Sequence, residues 1–280
     1  MSSKNNVISK TISLIFLVLM GIIWITPLVW GLLTSFKSRQ ELLTGGFNLL
    51  PINWVLDNYT HLLINNRSTP LLRWFFNSMV ISVSHTFLVV IIVSLSAFAY
   101  SRLRFKGRDS LFVFLLATMM FPQIVNLIPL YVIVDRLGWV NTPFAMIFPG
   151  LAGVFNIFLV RQFMNNIPIQ YDESARIDGA SDFKIYTSVI LPLVRPVLLV
   201  VALFSFTASW NDFLWPTIVV NDVDRMPITP GLQLLQGMFV SQPGLLMAGA
   251  IVAIIPTFFL YLFAQQYFLE SMSLSVGVKG

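Results

Sequence analysis

The sequence predicts an all-α integral membrane protein with about six spanning helices. Three observations carry this prediction. Of 280 residues, 56% are hydrophobic and only 10% are charged, where an ordinary soluble domain has roughly 25% charged residues. So few charges cannot clothe so much apolar surface in water, and lipid is the simplest medium for the excess. The charges that exist fall between apolar intervals long enough to cross a bilayer, which takes about 20 residues. The basic residues are also shared unequally between alternate connections, as the positive-inside bias requires.

A charge at mid-membrane costs at least about 2.5–3.5 kcal/mol, so charge-free intervals mark the spans. They run Thr11–Phe36, Trp74–Ser101, Ser110–Val134 and Leu137–Val160. A fifth runs from Pro196 to about Trp215. The interval Met226–Leu269 opens with a stretch rich in Pro, Gly and Gln, so the sixth helix is expected from near Leu245 to near Phe268. The first interval follows Lys4 and Lys10, as a secretory signal would. It exceeds the usual 7–15-residue signal core, no A-x-A cleavage site follows it, and it is expected to be retained as a span.

Eleven Lys and Arg fall in one set of connections: Lys4, Lys10, Arg102, Arg104, Lys106, Arg108, Arg161, Arg176, Lys184, Arg195 and Lys279. The opposite set holds six: Lys37, Arg39, Arg67, Arg73, Arg136 and Arg225. The richer set is read as cytoplasmic, with both termini inside. Residues 1–280 are then one transmembrane domain. It carries an extracytoplasmic cap at 37–73 (with Gly45-Gly46, Pro51 and Pro70), a cytoplasmic loop at 164–195, an extracytoplasmic loop at 216–244 and a cytoplasmic tail at 269–280.

The composition also excludes. With no cysteine there is no disulfide, thiolate metal site or cysteine nucleophile. His61 and His85 are too few for a His-rich metal site, so no metal ligands are assigned, and neither H-E-x-x-H nor G-x-S-x-G occurs. No Gly-Lys pair exists, so the phosphate-binding P-loop is absent and no nucleotide is bound by this chain. No basic, aromatic-interleaved stretch lies outside the apolar blocks, which argues against nucleic acid.

The most patterned segment is 167–196, IPIQYDESARIDGASDFKIYTSVILPLVRP. Pro168 suits the first turn of a helix. Asp172 and Glu173 suit the positive end of its dipole. Gly179 suits the left-handed residue that stops it. Ser181 caps a second helix, on which Phe183, Tyr186, Val189 and Ile190 share a face. Pro192 ends or redirects that helix. The result is a helix–Gly–helix elbow. It reads equally as a connector lying on the headgroups and as a docking element for a partner in helix-in-groove style.

Here the order Glu173-Ser174-Ala175, Gly179, then Val189-Ile190-Leu191-Pro192 resembles the "EAA loop" of binding-protein-dependent ABC importer permeases, E-A-A, three residues, G, nine residues, I-x-L-P. Ser174 replaces Ala and Val189 replaces Ile; the spacing is kept. Ser209-Trp210-Asn211-Asp212-Phe213 is similar to the S-W-N-D-F segment of carbohydrate permeases. Gly277-Val278-Lys279-Gly280 is similar to the tail of the maltose permease-type group. The resemblance implies a transport subunit rather than an enzyme, forming half of a sugar or oligosaccharide pathway. It implies a second homologous permease, two ATPase subunits using ATP and Mg, and an extracytoplasmic solute-binding protein. It further implies that Glu173, Ser174, Ala175, Gly179, Ala180, Leu191 and Pro192 couple to the ATPase, and that Gly277, Lys279 and Gly280 reach it.

Other residues are weighed against plainer roles. His85 is expected to be a packing histidine rather than a proton relay. Asn156 is read as interhelical glue ahead of a substrate contact. Pro149, Gly150 and Gly153 either distort the fourth span beside a cavity or allow close helix packing. Trp210 and Trp215 are expected to anchor the interface, with sugar stacking on them or on Phe213 as the second reading. Asn211 stands beside them, and Asp212 is expected to hold a structural hydrogen bond. Alternatives are the same machine with a non-sugar solute, an ion-gradient-driven secondary transporter, and an intramembrane hydrolase. The last two require paired ionisable residues or a dyad within the spans, and none stands out.

Overall fold

The computed structural model describes residues 2–44, 48–64, 69–239 and 242–277. It is helical, with no strand among the described residues. Its contacts group the chain into two compact units, Met1–Leu72 with Gly231–Ile255, and Arg73–Pro230 with Pro256–Gly280.

In the first unit, α1 (Ser2–Ser35) is apolar all round, so it has almost no amphipathic face. The cap follows as α2 (Arg39–Thr44) and α3 (Asp57–Leu63). Phe36 packs on Trp54 and Tyr59, and Asn58 Nδ2 donates to the carbonyls of Ser35 and Lys37 at 2.9 and 3.0 Å. The Lys37 ammonium donates to the Asn48 carbonyl. The start of the last helix approaches this knot closely. A Cβ on Gly244 would sit 2.8 Å from Asn58 Nδ2 and 3.2 Å from the Lys37 carbonyl. The described part of 37–73 thus packs into a small knot around Phe36 and Asn58; Gly45, Gly46 and Arg67 lie outside the described residues.

The second unit is threaded by α4 (Leu71–Arg102), about 48 Å long at 1.5 Å per residue. Two apolar clusters form around it. Toward its start, Ile81 packs with Ala145, Met146, Ile147, Trp215 and Val219. Toward its end, Val89, Val93, Ala97 and Phe98 pack with residues of the elbow and its neighbours. In lipid such clusters gain from close packing and hydrogen bonds rather than from leaving water.

Among the described residues, three uninterrupted helical stretches are long and apolar enough to span: Ser9–Ser35, Leu71–Arg102 and Pro243–Gln265. The expected third span is instead α5 (Arg108–Thr118), a 3-10 turn at Gln123–Asn126 and α6 (Leu127–Arg136), bent by 92°. Pro122 offers no N–H and pushes Phe121 out of the helical region, which breaks the helix there. The expected fourth span is also divided. Gly138, Asn141 and Gly150 take positive φ, leaving the short α7 (Phe144–Ile147) and then α8 (Val154–Asn165). The Asn141 side chain supports its own turn by accepting from the Asn221 and Asp222 amides at 2.6 and 3.1 Å.

The elbow consists of α9 (Gln170–Ile177), α10 (Asp182–Ile185), a π turn over Tyr186–Ile190 and α11 (Leu191–Leu193). The chain then bends by 78° into α12 (Arg195–Trp210), with Pro196 in its first turn. Beyond it lie α13 (Leu214–Val219) and a 3-10 turn at Val223–Arg225. The expected loop 216–244 therefore carries helical structure, including α14 (Ile228–Met238). Pro230 is accommodated there because it falls in the first turn, where its missing N–H has no partner to lose. The last helix, α15 (Pro243–Gly277), starts two residues before the expected Leu245 and runs beyond Phe268.

Candidate functional site

The elbow is the segment the sequence singles out, and its corner closes by backbone chemistry. Gly179 sits at φ +80°. Its N–H donates to the Arg176 carbonyl at 3.0 Å, and the Ala180 N–H donates to the Ala175 carbonyl at 2.9 Å. That pair of bonds is the Schellman arrangement, which satisfies the otherwise orphaned carbonyls of α9. A Cβ built on Gly179 meets nothing within 4 Å, so glycine is required by the backbone angle and not by crowding. The Ser181 hydroxyl then accepts from the Lys184 amide and caps α10. Arg176 Nη2 lies 2.5 Å from Asp182 Oδ1, stapling the two arms across the corner.

The inner face of the second arm differs from a simple helical stripe. The sequence places Phe183, Tyr186, Val189 and Ile190 together. In the structure Phe183 is 70% exposed, while Ile185 and Ile190, five residues apart, are fully buried. The π turn explains the change, because its extra residue per turn brings i and i+5 into line. Tyr186 is buried against Phe98, with its hydroxyl 2.7 Å from Ser94 Oγ. On the outer side Glu173 and Ser174 are exposed and Ile177 is 86% exposed. Ala175, Ala180 and Leu191 are partly buried against the cluster that seats the elbow, and Pro192 is half-buried. The structure therefore gathers Glu173, Ser174, Ala175, Gly179 and Ala180 on the first arm and its corner, and places Leu191 and Pro192 at the far end of the second arm. It adds Ile177 as an outward apolar side chain that the sequence reading did not name; Phe183, named there on the apolar face of the second arm, is outward, while Tyr186 and Ile190 of that face are buried. Two apolar residues flanking D-G-A-S-D were the available signal.

The first arm is held from below by a buried ion pair. Arg102, the last residue of α4, and Asp172, in the first turn of α9, are about 5% and 4% exposed, with Nε 3.4 Å from Oδ2. Arg102 Nη2 also donates to the carbonyls of Met164 and Ile167 at 2.8 Å each. Burial pushes the Asp172 carboxyl above the usual carboxylate range, against the pull of Arg102. The α8 helix returns the grip, as Arg161 Nε donates to the Tyr100 carbonyl at 3.1 Å and its guanidinium lies 3.9 Å over the Phe112 ring.

The other predicted positions lie elsewhere. Trp210 is 2% exposed, stacked on Phe206 and edge-on to Phe75. Trp215 is buried and donates to the Ala145 carbonyl at 2.8 Å. Both are packing residues in this fold, not interface anchors or open stacking platforms. The Asn211 side chain donates to the Thr207 carbonyl at the end of α12. Asp212 is half-buried just beyond the end of α12, its own amide donating to the Ser209 carbonyl at 3.4 Å. Phe213 is partly exposed, and Asn156 is half-buried on α8 beside Gly153. His85 Nδ1 is 2.8 Å from the Ile147 carbonyl, as a packing histidine should be. Gly277 is the last residue of α15; Lys279 and Gly280 lie outside the described residues.

Residues 92–273, which include the whole elbow, match the family model described as "Binding-protein-dependent transport system inner membrane component". The chain belongs to that family. This inner membrane component is a transport subunit, not an enzyme. It is 31% identical over 268 residues to the arabinooligosaccharides transport system permease protein AraQ of Bacillus subtilis (strain 168), covering 95% of this chain and 94% of that one. It is 33% identical over 276 residues to the trehalose/maltose transport system permease protein MalG of Thermococcus litoralis, covering 96% and 97%. Its fold matches a chain of a bacterial ABC transporter involved in the import of the acidic polysaccharide alginate. The TM-score is 0.83 at 22% identity, over 94% of this chain and 98% of that one.

Proposed function

We propose that this inner membrane component forms half of the translocation pathway for a sugar or oligosaccharide and couples it to ATP hydrolysis by a separate ATPase through the elbow. The carrying observation is the shape of residues 164–195. A Schellman-closed corner presents Glu173, Ile177 and Phe183 outward, while its inner face is locked into the transmembrane packing. A rigid handle of this kind suits a partner that grips from outside and moves the helices behind it. The family description supports a solute-binding protein as one partner, and the sugars for which the relatives are named support a carbohydrate cargo. The remaining partners are a second permease of the same family and two ATPase subunits that use ATP and Mg. The elbow lies on the cytoplasmic side with both termini, in line with the excess of Lys and Arg there.

The transporter, purified through a tag on this chain and reconstituted in nanodiscs, tests the reading. An ATPase subunit should co-purify, and its hydrolysis should rise when the solute-binding protein is added with maltodextrins or arabino-oligosaccharides. Uptake driven by an ion gradient with no ATPase present would refute it.

A further inference from the structure

The elbow is joined to α12 by the chain itself, yet that joint is a 78° bend at Val194 where helical geometry stops. Its buried side-chain polar contacts run to another helix. At the far end of α4, Arg102 holds Asp172 of the first arm. Eight residues earlier, about 12 Å along the helix axis, Ser94 of α4 holds the hydroxyl of Tyr186 in the second arm. Both contacts are buried, and the apolar residues between them, Ala97 and Phe98, pack against the elbow in the same cluster. Arg102 further clasps the end of α8 through two carbonyls, and α8 clasps α4 through Arg161. One polar fastening fixes a point; two, on separate arms of the elbow, also fix an angle.

We propose that α4 is the helix the elbow drives, through the Asp172–Arg102 ion pair and the Tyr186–Ser94 hydrogen bond acting as two separated fasteners. Arg102, Asp172, Ser94 and Tyr186 are positioning residues for transport. The inference rests on the coupling role given above and adds which helix receives the motion and through which atoms. A rocking elbow carries α4 with it, and α8 follows through the reciprocal Arg102 and Arg161 clasp. Buried polar contacts suit this task, because a displaced partner leaves the other buried and unsatisfied, so the two arrangements stay discrete.

The test uses the whole transporter in nanodiscs. The chain has no cysteine, so Tyr171→Cys, an exposed site on the first arm of the elbow away from Ile177 and Phe183, and, separately, Leu95→Cys on α4 give sites of known position on it for a fluorescent or spin label. In the otherwise unaltered transporter, a non-hydrolysable ATP analogue should shift both signals. Tyr186→Phe and Asp172→Asn should leave the Tyr171 signal responsive and reduce the Leu95 response at least about threefold each. Combined, they should lower uptake at least about tenfold, the size expected when two buried polar contacts are lost together. Asp172→Glu, which keeps the charge, should restore more of the Leu95 response than Asp172→Asn does. A Leu95 response that survives the double substitution overturns the proposal, and so does a matched loss at both labels. If the unaltered transporter shows no nucleotide response at Tyr171, the coupling role itself fails, an outcome distinct from either of these.

Discussion

Substitution of Gly179 separates the shape of the elbow from its use. Its φ of +80° places any L-residue in the left-handed region, which costs about 1–2 kcal/mol. A stiffer unfolded chain returns about 0.4–1 kcal/mol, so Gly179→Ala is expected to cost about 1 kcal/mol. Asn tolerates the left-handed region better, and Gly179→Asn should cost less than Ala. With no atom within 4 Å of a Cβ at Gly179, a Trp side chain leaves the backbone into open space and carries the same backbone cost as Ala. The melting temperature in detergent should therefore fall by about 2–4 °C for both Ala and Trp and by less for Asn. Retention of the ATPase subunit should separate the two. Ala and Asn keep it, whereas the indole stands where the partner must close, weakening retention more than about tenfold, or 1.4 kcal/mol. Equal retention by Ala and Trp would refute the placing of this corner against a partner. A loss of stability by Ala as large as that of a core cavity would refute the backbone argument.

The outward side chains Ile177 and Phe183 give a second test. Ile177→Asp with Phe183→Asp should change stability by no more than about 0.5 kcal/mol, as exposed substitutions do, while pull-down of the ATPase falls at least about tenfold; unchanged pull-down counts against the docking face. Trp210→Ala should cost about 3–5 kcal/mol by opening a cavity, with Trp210→Phe recovering most of the melting temperature. A sugar-binding defect without a stability defect would return Trp210 to the pathway. The Asp172 carboxyl is raised by burial, with Arg102 and Arg176 pulling it down and Asp182 and Glu173 adding to the rise. The folded state thus holds this proton to higher pH than the unfolded chain. Its contribution to stability is complete below the unfolded carboxylate value of about 3.9 and is lost as pH rises through the folded value. Melting temperatures measured upward from that pH should fall more for the unsubstituted chain than for Asp172→Asn; parallel slopes contradict this.

Much of the fold was legible because charges in a bilayer are costly, so their absence marks spans regardless of detailed packing. The elbow was legible because Gly179, Ser181 and Pro192 each act through local backbone chemistry that spacing alone reveals. The break at Pro122 was visible as a residue, but an apolar interval gives no contrast between a straight helix and a bent pair. Trp210 was misplaced for a related reason: with lipid outside and side chains inside both apolar, hydrophobic pattern does not tell the two faces apart. The π turn escaped because a 3.6-residue period was assumed, which put Phe183, Tyr186 and Ile190 on one face where the fold separates exposed Phe183 from the other two. Arg102 was read only as a topology marker. Its partner is 70 residues away, and only the folded chain brings the two together.

The first helix follows a different rule from the rest. An 18-residue window of α1 has no buried side chain at all, and Trp24 is 77% exposed. Within this chain, no neighbour's shape dictates which apolar residue stands at each of those positions. Leu, Ile, Val and Phe should exchange freely along that window, whereas one Arg at its middle meets the insertion cost of about 2.5–3.5 kcal/mol. Within this chain, what that window must keep is the sum of its hydropathy, whereas α4, gripped from several sides, must also keep its shapes.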